Sequence, residues 1–338
     1  MAHFKNKQVV LASRPKDIPE AENFIIVENI TPEILDGQIL VRNIFLSVEP
    51  AMKGWVSAIG NYAEPVALNS VMKSFATGIV VESRHPNFSK GEFVTGLFGW
   101  QEYALVEVDT IDRKINSHHL PISTSLGVLG INGMSAYFGL LEIGQPVSGE
   151  TVVVSTAAGA VGSCVGQIAK LKECYTVGIT GGQEKVSLCK GLYQYDQAID
   201  YKSSEFQQDL SKACPNGIDV YFDNTGGKIS DAVMQLLNVG ARIVICGTSS
   251  ISSWQPLPTG PRNERQILVN RARMQGFLIF DYKERFPEAL ETLTKWVGSG
   301  LIQYREDILH GINEAPDAIS SLYRGENLGK RLIQIHTL

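Results

Sequence analysis

Apolar and polar positions change their rhythm once along this chain. Through about residue 125, short apolar runs alternate with polar positions and end in turn residues, at 8–12, 24–28, 38–47, 76–83, 93–97 and 102–106. That spacing predicts the strands of a small, partly open β-barrel. Loops at 49–55 and 61–65 interrupt it, and loops on a rigid scaffold are where small molecules tend to be contacted. From 126 to 305 the runs become continuous and β-branched, at 151–155, 175–179, 197–201, 217–223, 240–247 and 273–280, with helical periodicity between them. Alternating elements of that kind predict a parallel, doubly wound sheet, so the fold class is α/β. The tail at 327–335 reads as a turn and a strand with no βα partner of its own, and it is expected to rejoin the barrel. The expected division is therefore 1–125, rejoined by 306–338, and 126–305.

The most informative stretch is 150–170. A buried strand at 151–155 runs into Ala157-Ala158-Gly159-Ala160-Val161-Gly162, and from Ser163 the apolar positions recur at helical spacing. Strand, glycine turn and helix in that order form the context of a dinucleotide fingerprint. Gly159 lets the backbone approach a pyrophosphate, and Gly162 lets the helix lie close to the strand. The free N–H groups at the helix start, aided by the helix dipole, face the phosphates. Ala157 stands where the first glycine of the usual pattern would be.

The next strand, 175–179, ends in Thr180-Gly181-Gly182-Gln183 with no acid at its tip, and Lys185 follows. An NAD site places an Asp or Glu there for the ribose hydroxyls. A carboxylate would repel a 2′-phosphate, whereas a neutral glycine pocket followed by a lysine accepts one. The expected cofactor is NADP(H). Asn224-Thr225-Gly226-Gly227 and Cys246-Gly247-Thr248-Ser249 fall at two later strand ends, the side on which doubly wound sheets bind ligands. Residues 248–265 hold three prolines and form a candidate lid.

At 338 residues the chain has room for two domains. A net charge of −5 without a basic run argues against a nucleic-acid partner. No apolar run reaches membrane-spanning length, and the first residues lack a signal-peptide core. Five unpaired cysteines, an odd number, fit a reducing cytoplasm. None of the six histidines sits with cysteines or acids at metal-ligand spacing, and residues 1–125 contain no cysteine, so no metal site is expected. His118-His119 reads as surface. No G-x-S-x-G elbow supports acyl transfer.

Barrel first, nucleotide sheet second and a returning tail resemble a zinc-free medium-chain dehydrogenase/reductase. Within that superfamily the chain closely resembles the leukotriene B4 12-hydroxydehydrogenase / prostaglandin reductase / alkenal double-bond reductase branch, which includes bacterial curcumin-reductase-like proteins. The residues that carry the resemblance are Gly133-Met134-Ser135-Ala136-Tyr137-Phe138-Gly139-Leu140-Leu141 and Ala157-Ala158-Gly159-Ala160-Val161-Gly162-Ser163. It implies a GroES-like barrel domain for substrate and a Rossmann domain for NADP. It also implies NADPH-dependent reduction of the α,β double bond of enals and enones, and a homodimer. Gly159, Ala160, Val161, Gly162 and Ser163 would then hold the pyrophosphate, and Gly181, Lys185 and Tyr201 the 2′-phosphate end. Asn224, Cys246 and Gly247 would line the cofactor, with Phe277, Leu278, Ile279 and Asn327 at its nicotinamide half.

Hydride delivery to the β-carbon of an enone leaves an enolate, which needs a proton at the α-carbon and donors at the oxygen. Many members of that branch carry a tyrosine shortly after the Cys-Gly turn. Here the segment reads Ser249-Ser250-Ile251-Ser252-Ser253-Trp254-Gln255. The proton then comes from Ser252 or Ser253, from Tyr62 on a barrel loop, or from water. Two other functions use the same residues: a quinone oxidoreductase, and an NADPH-binding protein without turnover.

Overall fold

The computed structural model describes residues 3–58, 62–116, 119–251, 254 and 256–338. The chain divides into two compact units, Gly127–Arg305 and Met1–Leu126 with Glu306–Leu338.

In Gly127–Arg305, six parallel strands lie in the order Gln197–Asp200, Tyr175–Thr180, Thr151–Ser155, Ile218–Asp223, Leu237–Ile245 and Arg273–Gly276. Helices cover both faces, so the inner strands need apolar side chains on both sides. Thr151–Ser155 is buried at every position, and Ile218–Asp223 nearly so. One core layer gathers Val153, Val177, Ile179, Ile199, Ile218, Tyr221 and Ile243. Strand order reverses between Thr151–Ser155 and Ile218–Asp223, which places a crevice beyond their carboxyl ends.

Several strand ends differ from the sequence reading by one to three residues, among them Leu237–Ile245 read as 240–247, and two further differences bear on the crevice. The helix after the glycine turn starts at Ala160, three residues before the periodicity becomes visible, because Gly159 is its extended N-cap. The last strand stops at Gly276 rather than 280, and Ile279–Arg285 turns into a 3₁₀ helix. Its neighbour in the sheet pairs as far as Ile245↔Gly276, and among the described residues no ladder continues beyond.

The other unit is built around Gln38–Ser47. That ten-residue strand pairs along one side with Ala76–Ser83. Along the other it pairs first with Tyr103–Glu107 and then with Lys330–Gln334. Register shifts at Leu40/Val41 and Asn43/Phe45 bend it. Phe93–Gly96 and Ile111–Lys114 extend the sheet. Lys5–Leu11 and Phe24–Ile30, read from sequence as barrel strands, form their own two-stranded ribbon. Backbone bonds such as Val9 N–H to the Trp100 carbonyl, 2.9 Å, tie it on. The tail does return to the barrel strand, but not without a βα partner. Glu306–His310, the helix Ala315–Arg324 and Lys330–Gln334 make a βαβ unit with the two strands parallel. The strand EDILH alternates too little to be seen alone.

Candidate functional site

At the crevice of the doubly wound sheet, the chain leaves Ser155 through Thr156, which holds a left-handed φ of 55°. The Ala157 N–H bonds the Ile179 carbonyl at 3.0 Å and closes the turn on the neighbouring strand. A Cβ added at Gly162 would stand 2.3 Å from the Thr156 carbonyl oxygen and 2.9 Å from the Ala157 Cα. Only glycine fits that approach of helix to turn. Ala157 is accommodated because the adjacent strand supplies Gly178, where a Cβ would lie 2.7 Å from the Ala157 methyl. On the far side, the Tyr195 hydroxyl donates to the Gly162 carbonyl at 2.6 Å, with its ring against Gly166. The helix Ala160–Leu171 thus presents its first N–H groups, which have no intrahelical acceptors, at the carboxyl edge of the sheet. A phosphate-bearing dinucleotide fits this geometry, since those N–H groups point out of the helix start and are free to take an anion.

At the next strand end, Gly181 and Tyr201 come together: a Cβ on Gly181 would lie 2.8 Å from the tyrosine ring. Tyr201 is 43% exposed. Its N–H bonds the Thr180 carbonyl at 3.0 Å. Lys185 is half-buried on the first turn of Gln183–Gly191, whose N-cap Gly182 has a φ of 88°. Sequence reasoning missed Asp200, whose Oδ1 accepts the Gly182 N–H and the Lys202 N–H, each at 2.9 Å. This acid organises the loop's backbone; its position at the end of the third strand gave no local signal.

Across the switch point, Asn224 is held on both its donors. Its N–H bonds the Ser155 hydroxyl at 2.8 Å, and its side-chain amide bonds the Ser155 carbonyl at 2.7 Å. The N–H groups of Cys246 and Gly247 both meet the Asp223 carbonyl, at 2.8 and 3.1 Å. Burial, reinforced by the Asp223 charge, pushes the Cys246 thiol up to about 12, so it lines the crevice as a neutral group. Asp223 itself, 2% exposed, is the second residue that sequence reasoning missed.

Phe277 follows the last strand, and its ring packs where a Cβ on Gly139 would sit, 2.7 Å away. It also meets Tyr282 edge-on at 6.3 Å, while Tyr282 stacks on Phe138 at 4.7 Å. Leu278 is 38% exposed and Ile279 half-buried.

Two sequence-identified residues belong to the other unit. Asn327 donates to the Gly329 carbonyl at 2.8 Å and turns the chain into Lys330–Gln334. Tyr62 is half exposed and lies near enough to Tyr323 to raise the latter's pKa, after burial as the main cause. Ser252 and Ser253 lie outside the described residues, as do Asn61 and His118.

Among the described residues no three His, Cys, Asp or Glu side chains converge as a metal site, and no helix is long and apolar enough to cross a membrane.

Residues 7–113 match the family described as N-terminal domain of oxidoreductase, and residues 160–295 the one described as zinc-binding dehydrogenase. The NADPH-dependent curcumin reductase of Escherichia coli is 42% identical over 98% of this chain and 97% of its own. The NADP(+)-dependent 2-alkenal reductase of Nicotiana tabacum is 38% identical over 98% and 97%. The crystal structure of CurA from Vibrio vulnificus in complex with NADPH superposes with a TM-score of 0.93 at 44% identity, covering 98% of this chain and 100% of that one.

Proposed function

The chain belongs to the medium-chain dehydrogenase/reductase family, in the branch of the curcumin, 2-alkenal and prostaglandin reductases, and on that premise we propose how its residues reduce the α,β carbon–carbon double bond of enones and enals with NADPH. The observation that carries the reading is the crevice at the switch point. One strand end there opens a glycine-lined helix N-terminus, and at the next Gly181 packs against the Tyr201 ring, with Lys185 on the first turn of the helix that follows.

In this mechanism the backbone N–H groups around Gly159, Ala160, Val161, Gly162 and Ser163 bind the pyrophosphate, where the helix dipole favours negative charge. Lys185 and the Tyr201 hydroxyl take the 2′-phosphate. Asn224, fixed by Ser155, would contact the cofactor near its ribose, and Cys246 and Gly247 would line it. Phe277, Leu278, Ile279 and Asn327 orient the nicotinamide half. When bound, NADPH supplies the hydride for the β-carbon. The chain's remaining work is at the substrate. A donor must hold the enolate oxygen, and a proton must reach the α-carbon. Tyr62, half exposed on its loop, is one source; Ser252, Ser253 or a water are the others.

A homodimer is supported by the open edge of the parallel sheet. Arg273–Gly276 is exposed at all four positions, with Met274 45% exposed and Leu268 76% exposed beside it. A second copy pairing there would cover that edge. A cytoplasmic location is supported by five cysteines that are all free thiols.

The test is consumption of NADPH, followed by its near-ultraviolet absorbance, with a simple enone, then with NADH, then with Lys185→Ala. Loss of NADPH with the saturated ketone as product, and a raised KM for NADPH alone in the variant, is the expected result. Turnover of quinones and not enones would replace the reaction; an unchanged KM for NADPH in Lys185→Ala would remove the 2′-phosphate assignment.

A further inference from the structure

Asp223 closes the strand Ile218–Asp223 at the switch point, buried, and among the described residues the donors that reach its carboxylate are neutral. Oδ1 accepts the N–H groups of Thr225 and Gly226, each at 2.9 Å, and the Tyr221 hydroxyl at 2.9 Å. The hydroxyls of Ser155 and Thr225 approach the same oxygen at 3.3 Å. Oδ2 accepts the Ser230 hydroxyl at 2.5 Å. A buried carboxylate is costly unless several donors converge on it, and here they do.

The donors come from four places that must agree: the acid's own strand, the turn after it, the neighbouring strand and the helix Gly227–Val233. Thr225 and Gly226 form the turn after the strand, with Gly226 at a φ of 67°. Ser155 ends the neighbouring strand. Its hydroxyl spends its proton on Asp223 and is left to accept the Asn224 N–H, so the acid sets the direction in which Asn224 is pinned. The main-chain carbonyl of Asp223 receives Cys246 and Gly247 from the third strand end. One residue therefore joins the carboxyl ends of three adjacent strands, Thr151–Ser155, Ile218–Asp223 and Leu237–Ile245.

We infer that Asp223 is the positioning residue of the cofactor crevice, holding Asn224, the Thr225–Gly226 turn and, through Ser155, the edge of the glycine turn in the arrangement a dinucleotide requires. It touches no cofactor atom in this role. The inference rests on the NADPH reading of the crevice. Its effect is common to any dinucleotide, because the 2′-phosphate residues Lys185 and Tyr201 follow other strand ends.

The experiment compares NADPH and NADH dissociation constants, by nicotinamide fluorescence, in the wild type and in Asp223→Asn, Ser155→Ala and Ser230→Ala. Asp223→Asn keeps one acceptor oxygen but loses the charge that strengthens each bond, and Ser155→Ala removes the bridge to Asn224 alone. Both are expected to weaken the two nucleotides by the same factor, about tenfold, leaving the NADPH-to-NADH preference as it was. Ser230→Ala also removes a hydroxyl from Asp223, but on the side away from Asn224. It should lower the melting temperature with less than about a twofold change in either constant. A merely structural acid predicts instead that Ser155→Ala and Ser230→Ala behave alike. That result, or wild-type nucleotide affinity in folded Asp223→Asn, overturns the inference. Should Asp223→Asn fail to fold, the contrast between the two serine variants decides. A wild type that binds neither nucleotide overturns the cofactor reading, and this inference with it.

Discussion

Replacing Gly162 with alanine tests the glycine turn at one atom. The new Cβ would sit 2.3 Å from the Thr156 carbonyl oxygen, 2.9 Å from the Thr156 carbonyl carbon and 2.9 Å from the Ala157 Cα. All three are backbone atoms, so no side chain can swing aside. The helix Ala160–Leu171 would have to move off the turn by roughly 1 Å, the gap between such contacts and ordinary van der Waals separation. Overpacking of that size costs about 1–3 kcal/mol. For a unit of this size that is a fall in melting temperature of some 2–4 °C per kcal/mol. On the proposed cofactor reading, the same shift withdraws the helix N–H groups from the pyrophosphate they would hold. Losing one charge-assisted bond, about 1.5–3 kcal/mol, weakens NADPH by about 10- to 150-fold. Gly191→Ala is the control, since a Cβ there meets nothing within 4 Å and the residue ends a helix. It should leave binding alone and be neutral or stabilising by up to about 1 kcal/mol. Thermal melts and fluorescence titration of NADPH measure both effects. Gly162→Ala with the melting point and affinity of the wild type would refute the steric account of this turn.

Two further outcomes concern stability. Lys330 and Glu49, each 5% exposed at the side chain, pair at 2.6 Å, and burial drives the lysine's pKa down against the pull of Glu49. Lys330→Met takes the cation away from a buried acid that also accepts the Ser47 hydroxyl and should cost about 3–5 kcal/mol, whereas Lys330→Met/Glu49→Leu should recover most of it; equal melting points for the single and double variants would contradict this. Burial works to raise the pKa of Glu150, but the Arg242 guanidinium and the Val147 N–H together outweigh it and hold the carboxyl below its usual range. Its stabilisation is therefore complete above the unfolded value and fades as pH falls through the lower folded one. Glu150→Gln should flatten the acid side of the stability curve below about pH 5, and an unchanged slope in urea melts would contradict it.

How much of this was legible beforehand depended on distance along the chain. The βα alternation, the strand at 151–155 and the glycine turn after it are written in neighbouring residues, because side-chain period and backbone freedom are local properties. The same holds for the missing acid after 175–179. The returning tail was half legible: its strand could be read, but Glu306–His310 and the helix between were not, since that edge strand has little apolar contrast.

What belongs to the sequence alone, then, is the fold class, the glycine turn between strand and helix, and the preference for a cofactor with a 2′-phosphate. Tertiary structure decided which groups act together. Asp223 reads as the polar end of a strand until Ser155, 68 residues earlier, and Ser230 are brought to its two oxygens. Ala157 reads as a flaw in the fingerprint until Gly178 on the next strand makes room for it. Asp200 reads as one more turn acid until Gly182 donates to it across 18 residues. A hydrogen bond or a van der Waals contact is satisfied by whatever lies within a few ångströms, and only the folded chain determines what that is.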